Sequence, residues 1–106
     1  MRAIGYQTPL PIADDNSLVD TDLPRPTPSG RDLLVEIKAI SVNPADTKVR
    51  ANVRPEADSW KVLGWDAAGV VVEAGPDASL FKPGDEVFYA GSITRPGTYA
   101  EYHVVD

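Results

Sequence analysis

Cysteine is absent from these 106 residues, and histidine occurs once. Without cysteine there can be no disulfide and no thiolate metal site. A catalytic zinc needs about three ligands drawn from Cys, His, Asp and Glu, with one position left open. The single imidazole, His103, stands in an alternating run with polar neighbours and reads as an exposed strand histidine, not as a ligand. No apolar run approaches the roughly 20 residues that span a bilayer. The opening "MRAIGYQTPL" lacks the apolar centre of a secretion signal, so the expected location is the cytoplasm, with no membrane partner. Basic residues are also scarce, ten Lys and Arg against sixteen Asp and Glu, for a net charge of −6. With no basic cluster, nucleic acid is excluded as a partner, because phosphate contacts need Lys and Arg. No G-x-G-x-x-G run is present, so the chain carries no dinucleotide-phosphate turn of its own.

Proline and glycine, ten and eight in number, are spread along the whole chain. Turns punctuating short strands give that distribution. Strands are expected over Met1–Tyr6 and "SLVDTDLP", and most clearly over "DLLVEIKAISV". In that last run Val35, Ile37 and Ala39 share one face while Glu36 and Lys38 share the other. Asn43 followed by Pro44 predicts a helix start, with Asn43 at the cap and Pro44 in the first position. A further strand follows Gly64, where Val70, Val71 and Val72 suit burial on both faces. Pro83-Gly84 centres a type II turn before strand residues Val87–Tyr89. The final "TYAEYHVV" alternates Ala100, Tyr102 and Val104 against Glu101 and His103. The expectation is one mainly β domain, a small partly open barrel with one or two short helical pieces.

Three segments, "AISVNPADTKVR", "LGWDAAGVVVEAG" and "FKPGDEVFYAG", occur in series. In that order and spacing they resemble the N-terminal GroES-like catalytic domain of the medium-chain dehydrogenase/reductase superfamily. The likeness covers the whole chain and is closest to the quinone-oxidoreductase and zinc-type alcohol dehydrogenase-like branches. It implies a domain over residues 1–106, with the Rossmann cofactor domain absent from this chain. It also implies NADPH, bound mainly by that absent domain, a quinone or enone substrate, and a full-length homodimer. In zinc-dependent members a cysteine matches Asn43 and a His-Glu pair matches Trp65-Asp66. Both metal positions are therefore changed together, and no zinc is expected.

For catalysis the resemblance singles out Asn43 as an amide donor to a developing oxyanion, with the helix cap as its alternative role. Lys48 is the second candidate, as a donor or proton source; many relatives carry tyrosine there, and a solvated helix lysine is the alternative. Asp46, Thr47, Trp65, Tyr89 and Gly91 are expected to border the substrate or cofactor cleft. An indole N–H of Trp65 donating to Asp46 would replace the carboxylate–histidine support of a metal site; simple packing of the ring is the rival reading. Two further readings of the chain remain open: a free-standing GroES-like interaction module of the co-chaperonin type, and an enzyme-derived structural protein.

Overall fold

The structure, a computed structural model, describes residues 1–106. Eight elements follow one another: β1 (Arg2–Tyr6), β2 (Val19–Asp22), β3 (Leu33–Ser41), α1 (Pro44–Asn52), β4 (Lys61–Val62), β5 (Asp66–Ala74), β6 (Glu86–Ala90) and β7 (Tyr102–Val105). They form two antiparallel sheets, β2-β1-β4 and β6-β5-β3-β7. This is a mainly β, partly open barrel with one helix, as the turn-punctuated pattern implies.

Two apolar clusters hold the sheets. Tyr6, Leu63 and Trp65 form one, with Leu18, Val49 and Tyr99 packed around them. Leu33, Val35 and Val71 form the other, flanked by Ile37, Val87, Tyr89 and Val105. The Tyr6 hydroxyl, fully buried, lies 2.9 Å from the Val49 carbonyl and 2.6 Å from that of Val53. The Val49 carbonyl also accepts the Val53 N–H, so the hydroxyl adds a second bond there and a partner for the Val53 carbonyl at the helix end, and so fastens α1 to β1.

The alternation expected along β3 holds only for its first part. Ile37 stands opposite Gly69, but Ala39 stands opposite Ala68, so Lys38 is an extra residue on β3. Such a bulge reverses the side-chain phase, and it turns Ala39 to the face away from Val35 and Ile37. A second irregularity pairs Leu34 with Glu73 and Val35 with Val71, leaving Val72 as the extra residue of β5. The valine run is accordingly buried at Val71 and half-buried at Val70 and Val72, instead of enclosed on both faces.

The chain end also departs from the sequence pattern. Only Tyr102–Val105 is a strand. The preceding residues form a crossing segment that ties the two sheets together. Gly97, Thr98 and Tyr99 donate backbone N–H groups to Val62, Gly64 and Leu63, while Tyr99 and Glu101 exchange bonds with Ile4 and Arg2. Ala100 bridges Ala3, and the chain then turns onto β3. β7 pairs only with Leu33–Glu36, and Ile37 N–H reaches Glu101. Ala39–Ser41 therefore have ladder partners on the β5 side alone, Lys38 has none, and an opening of about 590 Å³ lies beside this stretch.

Candidate functional site

The site grows from the start of α1. Asn43 is the N-cap in extended conformation, and Pro44 begins the helix without needing a backbone N–H. The Asp46 carboxylate accepts the Asn43 backbone N–H at 2.9 Å, which satisfies a donor the helix cannot use. The Asn43 side chain points elsewhere, its amide nitrogen donating to Asp66 and, at 3.4 Å, lying near the Ser41 carbonyl. Both neighbours of that nitrogen are acceptors only, so the donor end of the amide is fixed toward them. Cap and amide donor are thus combined in one residue, and the donor is already engaged.

Asp46 is only 3% exposed. A buried carboxylate requires donors, and the second is not the expected indole. The Tyr99 hydroxyl donates to Asp46 Oδ2 at 2.8 Å. Burial, and then the adjacent Asp46 carboxylate, push the Tyr99 phenol well above its ordinary pKa. The Trp65 Nε1 is buried with no acceptor at all. The proposed Trp65–Asp46 bond is therefore corrected: Asp46 is supported by a tyrosine 53 residues away, and the indole packs. Trp65 is 6% exposed, within the Tyr6–Leu63 cluster, with the Lys61 ammonium 5.7 Å from its ring centre.

Thr47 and Lys48 lie on the exposed side of the helix. The Thr47 hydroxyl bonds back to the Pro44 carbonyl at 2.8 Å, and Lys48 makes no ion pair. Beyond Asp66, an open groove of about 500 Å³ runs along β5 and β6, lined by Ser41, Ala68, Phe88, Tyr89 and Ala90 among others. Phe88 stands out of it, 88% exposed. The Tyr89 phenol turns inward instead, with Oη 2.8 Å from His103 Nδ1, and burial pushes it far above its ordinary pKa.

His103 is not the exposed residue its neighbours suggested. It is 4% exposed, opposite Val35 in the ladder, because the crossing segment ahead of β7 sets the inward phase. Burial holds the imidazole below its ordinary pKa. Of the residues missed from sequence, Asp66 and Tyr99 bond partners 23 and 53 residues away, and His103 is set inward by its place opposite Val35 of β3. The one available signal was Asp46 itself, a carboxylate on the side of the helix shared with Val49 and so in need of donors once buried.

Gly91 donates its N–H to the Trp65 carbonyl. A Cβ placed there would meet His103 Cε1 at 3.6 Å and Trp65 Cδ1 at 3.8 Å, which is ordinary contact. Gly91→Ala is accordingly expected to fold with a melting temperature within about 2 °C of the parent, since a surface change of this kind falls within ±0.5 kcal/mol. A marked loss of stability in thermal unfolding would show that the loop is tighter than its contacts indicate. A loss of turnover without a loss of stability would place a ligand against Gly91.

The donor set does not suit zinc. No three His, Asp or Glu side chains converge on a common point. Both nitrogens of the only imidazole are engaged. The single helix N-terminus is filled by Asp46, so it offers no cradle for dinucleotide phosphates either.

A two-sheet open barrel with a capped helix after β3 and a polar cluster at the helix start is the architecture of a GroES-like oxidoreductase domain. Residues 29–106 match the alcohol dehydrogenase GroES-like domain, and the chain belongs to that family, the N-terminal domain of medium-chain dehydrogenases/reductases. A zinc-type alcohol dehydrogenase-like protein of Staphylococcus aureus is 45% identical over 105 residues, 99% of this chain and 31% of that protein. The solved structure of a Rhizobium etli protein of the alcohol dehydrogenase type matches with TM-score 0.96 and 63% identity over 100% of this chain and 31% of the other. Escherichia coli quinone oxidoreductase, solved in complex with NADPH, matches with TM-score 0.83 and 28% identity over 99% of this chain and 31% of the other. The chain thus spans about a third of the length of these relatives.

Proposed function

We propose that this chain is the substrate-side domain of an NADPH-dependent reductase of quinones, enones or related carbonyls that works without zinc. The observation that carries the reading is the pair of family ligand positions: Asn43 with its amide held by Asp66, and Trp65 packed into the core without a polar partner. The similarity to an NADPH-bound quinone oxidoreductase supports the choice of cofactor and substrate class. When bound, the nicotinamide supplies the hydride; its phosphates need a site that this chain does not provide.

With no metal to polarise a carbonyl, charge developing on its oxygen must be met by hydrogen-bond donors. The Asn43 amide serves if it exchanges Asp66 for the substrate oxygen, and Asp46 and Tyr99 keep the surrounding helix start in place. Lys48, exposed one turn along, is the group free to return a proton. Asp46, Thr47, Tyr89 and Gly91 form the border of the cleft, and Trp65 forms its floor. The assembly is proposed to be a homodimer of full-length chains.

The test is NADPH oxidation by the full-length protein with a quinone and enone panel, with metal content measured alongside. Full activity in a metal-free preparation, unchanged by a chelator, is expected. Asn43→Ala is expected to lower kcat by about 10²-fold, the usual loss for one oxyanion donor. Stoichiometric zinc together with loss of activity on chelation would overturn the proposal.

A further inference from the structure

The outer side of the four-stranded sheet is bare over β5 and β6. Residues opposite each other in a ladder share a side of the sheet, so the register lays this side out in rows. Tyr102, Glu36, Val70 and Glu86 stand across β7, β3, β5 and β6 in the first row. Ala39, Ala68 and Phe88 make the second, and Ser41, Asp66 and Ala90 the third. None of them belongs to the buried centres of the inner clusters. The second and third rows line the groove of about 500 Å³. Ala39, Ala68 and Ala90 give it a floor of methyl groups, and Phe88 rises from its β6 edge, 88% exposed. One exposed apolar residue on its own needs no explanation. An aromatic ring beside an apolar groove is the arrangement that anchors a partner's side chain.

The charges around the groove are of one sign. Asp66 closes one end, and Glu86 stands past the other. Neither makes an ion pair, and Asn43 bonds Asp66 through Oδ2 alone. Lys38, the only Lys or Arg on the four strands, is held by Glu36. Carboxylates without counter-charges at both ends of an apolar strip are complementary to a cation at each end. At the far end of the first row the chain supplies such a group itself, the Arg25 guanidinium 4.2 Å from the Tyr102 ring centre. Asp66 and Glu86 are separated by four residues of strand, about 13 Å. In an extended segment the side chains at i, i+2 and i+4 face one way and cover the same span.

We propose that this face docks a basic protein segment in extended form. Its central apolar side chain fills the groove against Phe88, and the Lys or Arg two residues to either side meet Asp66 and Glu86. The segment recognised therefore has the pattern basic-x-apolar-x-basic. An acidic segment would set like charges together, and a second copy of this chain would bring its own Glu86 and Asp66 against them. The net charge of −6 draws a basic partner from a distance as well. Phe88 and Glu86 take no part in the chemistry proposed above, so the contact stands independently of the reductase reading.

The test titrates an end-blocked, fluorophore-labelled peptide, Arg-Thr-Leu-Thr-Arg, against the full-length protein and against this chain. Anisotropy is read at low salt, where exposed charges are least screened. Binding to both is expected, with amide shifts in the NMR spectrum centred on Ala68, Phe88 and Ala90. Phe88→Ser should weaken binding about tenfold, and Glu86→Lys about fivefold. Both side chains are exposed, so neither change should disturb the fold. The decisive arm exchanges one terminal arginine of the peptide for glutamate, made in both orders. One of the two should bind Glu86→Lys more tightly than the parent. Equal binding of each by parent and variant would overturn the proposal, as would shifts spread over the whole acidic surface. Shifts at Phe88 that follow protein concentration without peptide would give the face to a second copy. Binding to this chain but not to the full-length protein would give it to the rest of that protein. Either result would overturn the proposed partner.

Discussion

Gly64→Ala is expected to abolish folding of this domain. Gly64 has φ of +96°, a region that side chains avoid, and an added Cβ would lie 2.4 Å from Thr98 Oγ1 and 2.5 Å from Tyr99 Cδ1. Neither neighbour can retreat cheaply. Thr98 N–H is bonded to the Gly64 carbonyl at 2.8 Å, and the Tyr99 ring is anchored through its hydroxyl to Asp46. Strain and clash together fall in the exceptional range above about 4–5 kcal/mol, against a total stability for such a domain of about 5–15 kcal/mol. Loss of the β-type circular dichroism spectrum, or recovery only from inclusion bodies, is the expected result. A soluble variant with a cooperative melt within a few degrees of the parent would show that the crossing segment can shift as a unit.

Trp65 gives the second large effect, and its two substitutions separate packing from hydrogen bonding. Trp65→Ala removes the centre of the Tyr6–Leu63 cluster and is expected to cost about 3–5 kcal/mol, measured as a fall in the urea midpoint at constant slope. Trp65→Phe keeps an aromatic ring there and deletes only a buried N–H that has no acceptor. An unpaired buried donor carries a penalty of about 1–3 kcal/mol, so its removal offsets part of the lost packing. The phenylalanine variant should therefore be much the milder of the two. If both are equally destabilising, the N–H has a partner such as an enclosed water, and the indole is more than a filler.

These two positions also illustrate what could be read from the residues alone. That Trp65 and Asn43 stand where the resemblance puts metal ligands is an expectation from order and spacing along the chain, and spacing survives without a structure. The N-cap at Asn43 and the strand after Gly64 were legible for the same reason, since both rest on near neighbours. What Trp65 and Asp46 bond to was not legible, because Tyr99 reaches Asp46 across 53 residues and leaves the indole unpaired. Ala39 was assigned to the wrong face because one extra residue, Lys38, shifts the phase, and nothing in its chemistry announces a bulge. His103 was misplaced by the same parity argument: "TYAEYHVV" reads as one strand, but its first half is a stitch between sheets. Contacts between distant segments thus decided the polar cluster, whereas local pattern decided the framework around it.

The one-sided stretch of β3 has a consequence for how the molecule keeps company with copies of itself. Lys38–Ser41 present a row of backbone groups with no neighbour opposite β5, and the apolar side chains of Ile40 and Val42 are exposed close by. Such a margin is a template for another extended chain. Lys38, the extra residue of the bulge, breaks the flatness of that margin and adds a charge to it, and the overall charge of −6 keeps like molecules apart at low salt. Colloidal behaviour should therefore be set at this seam: concentrated, salted preparations would associate there first, well before the folded core itself gives way.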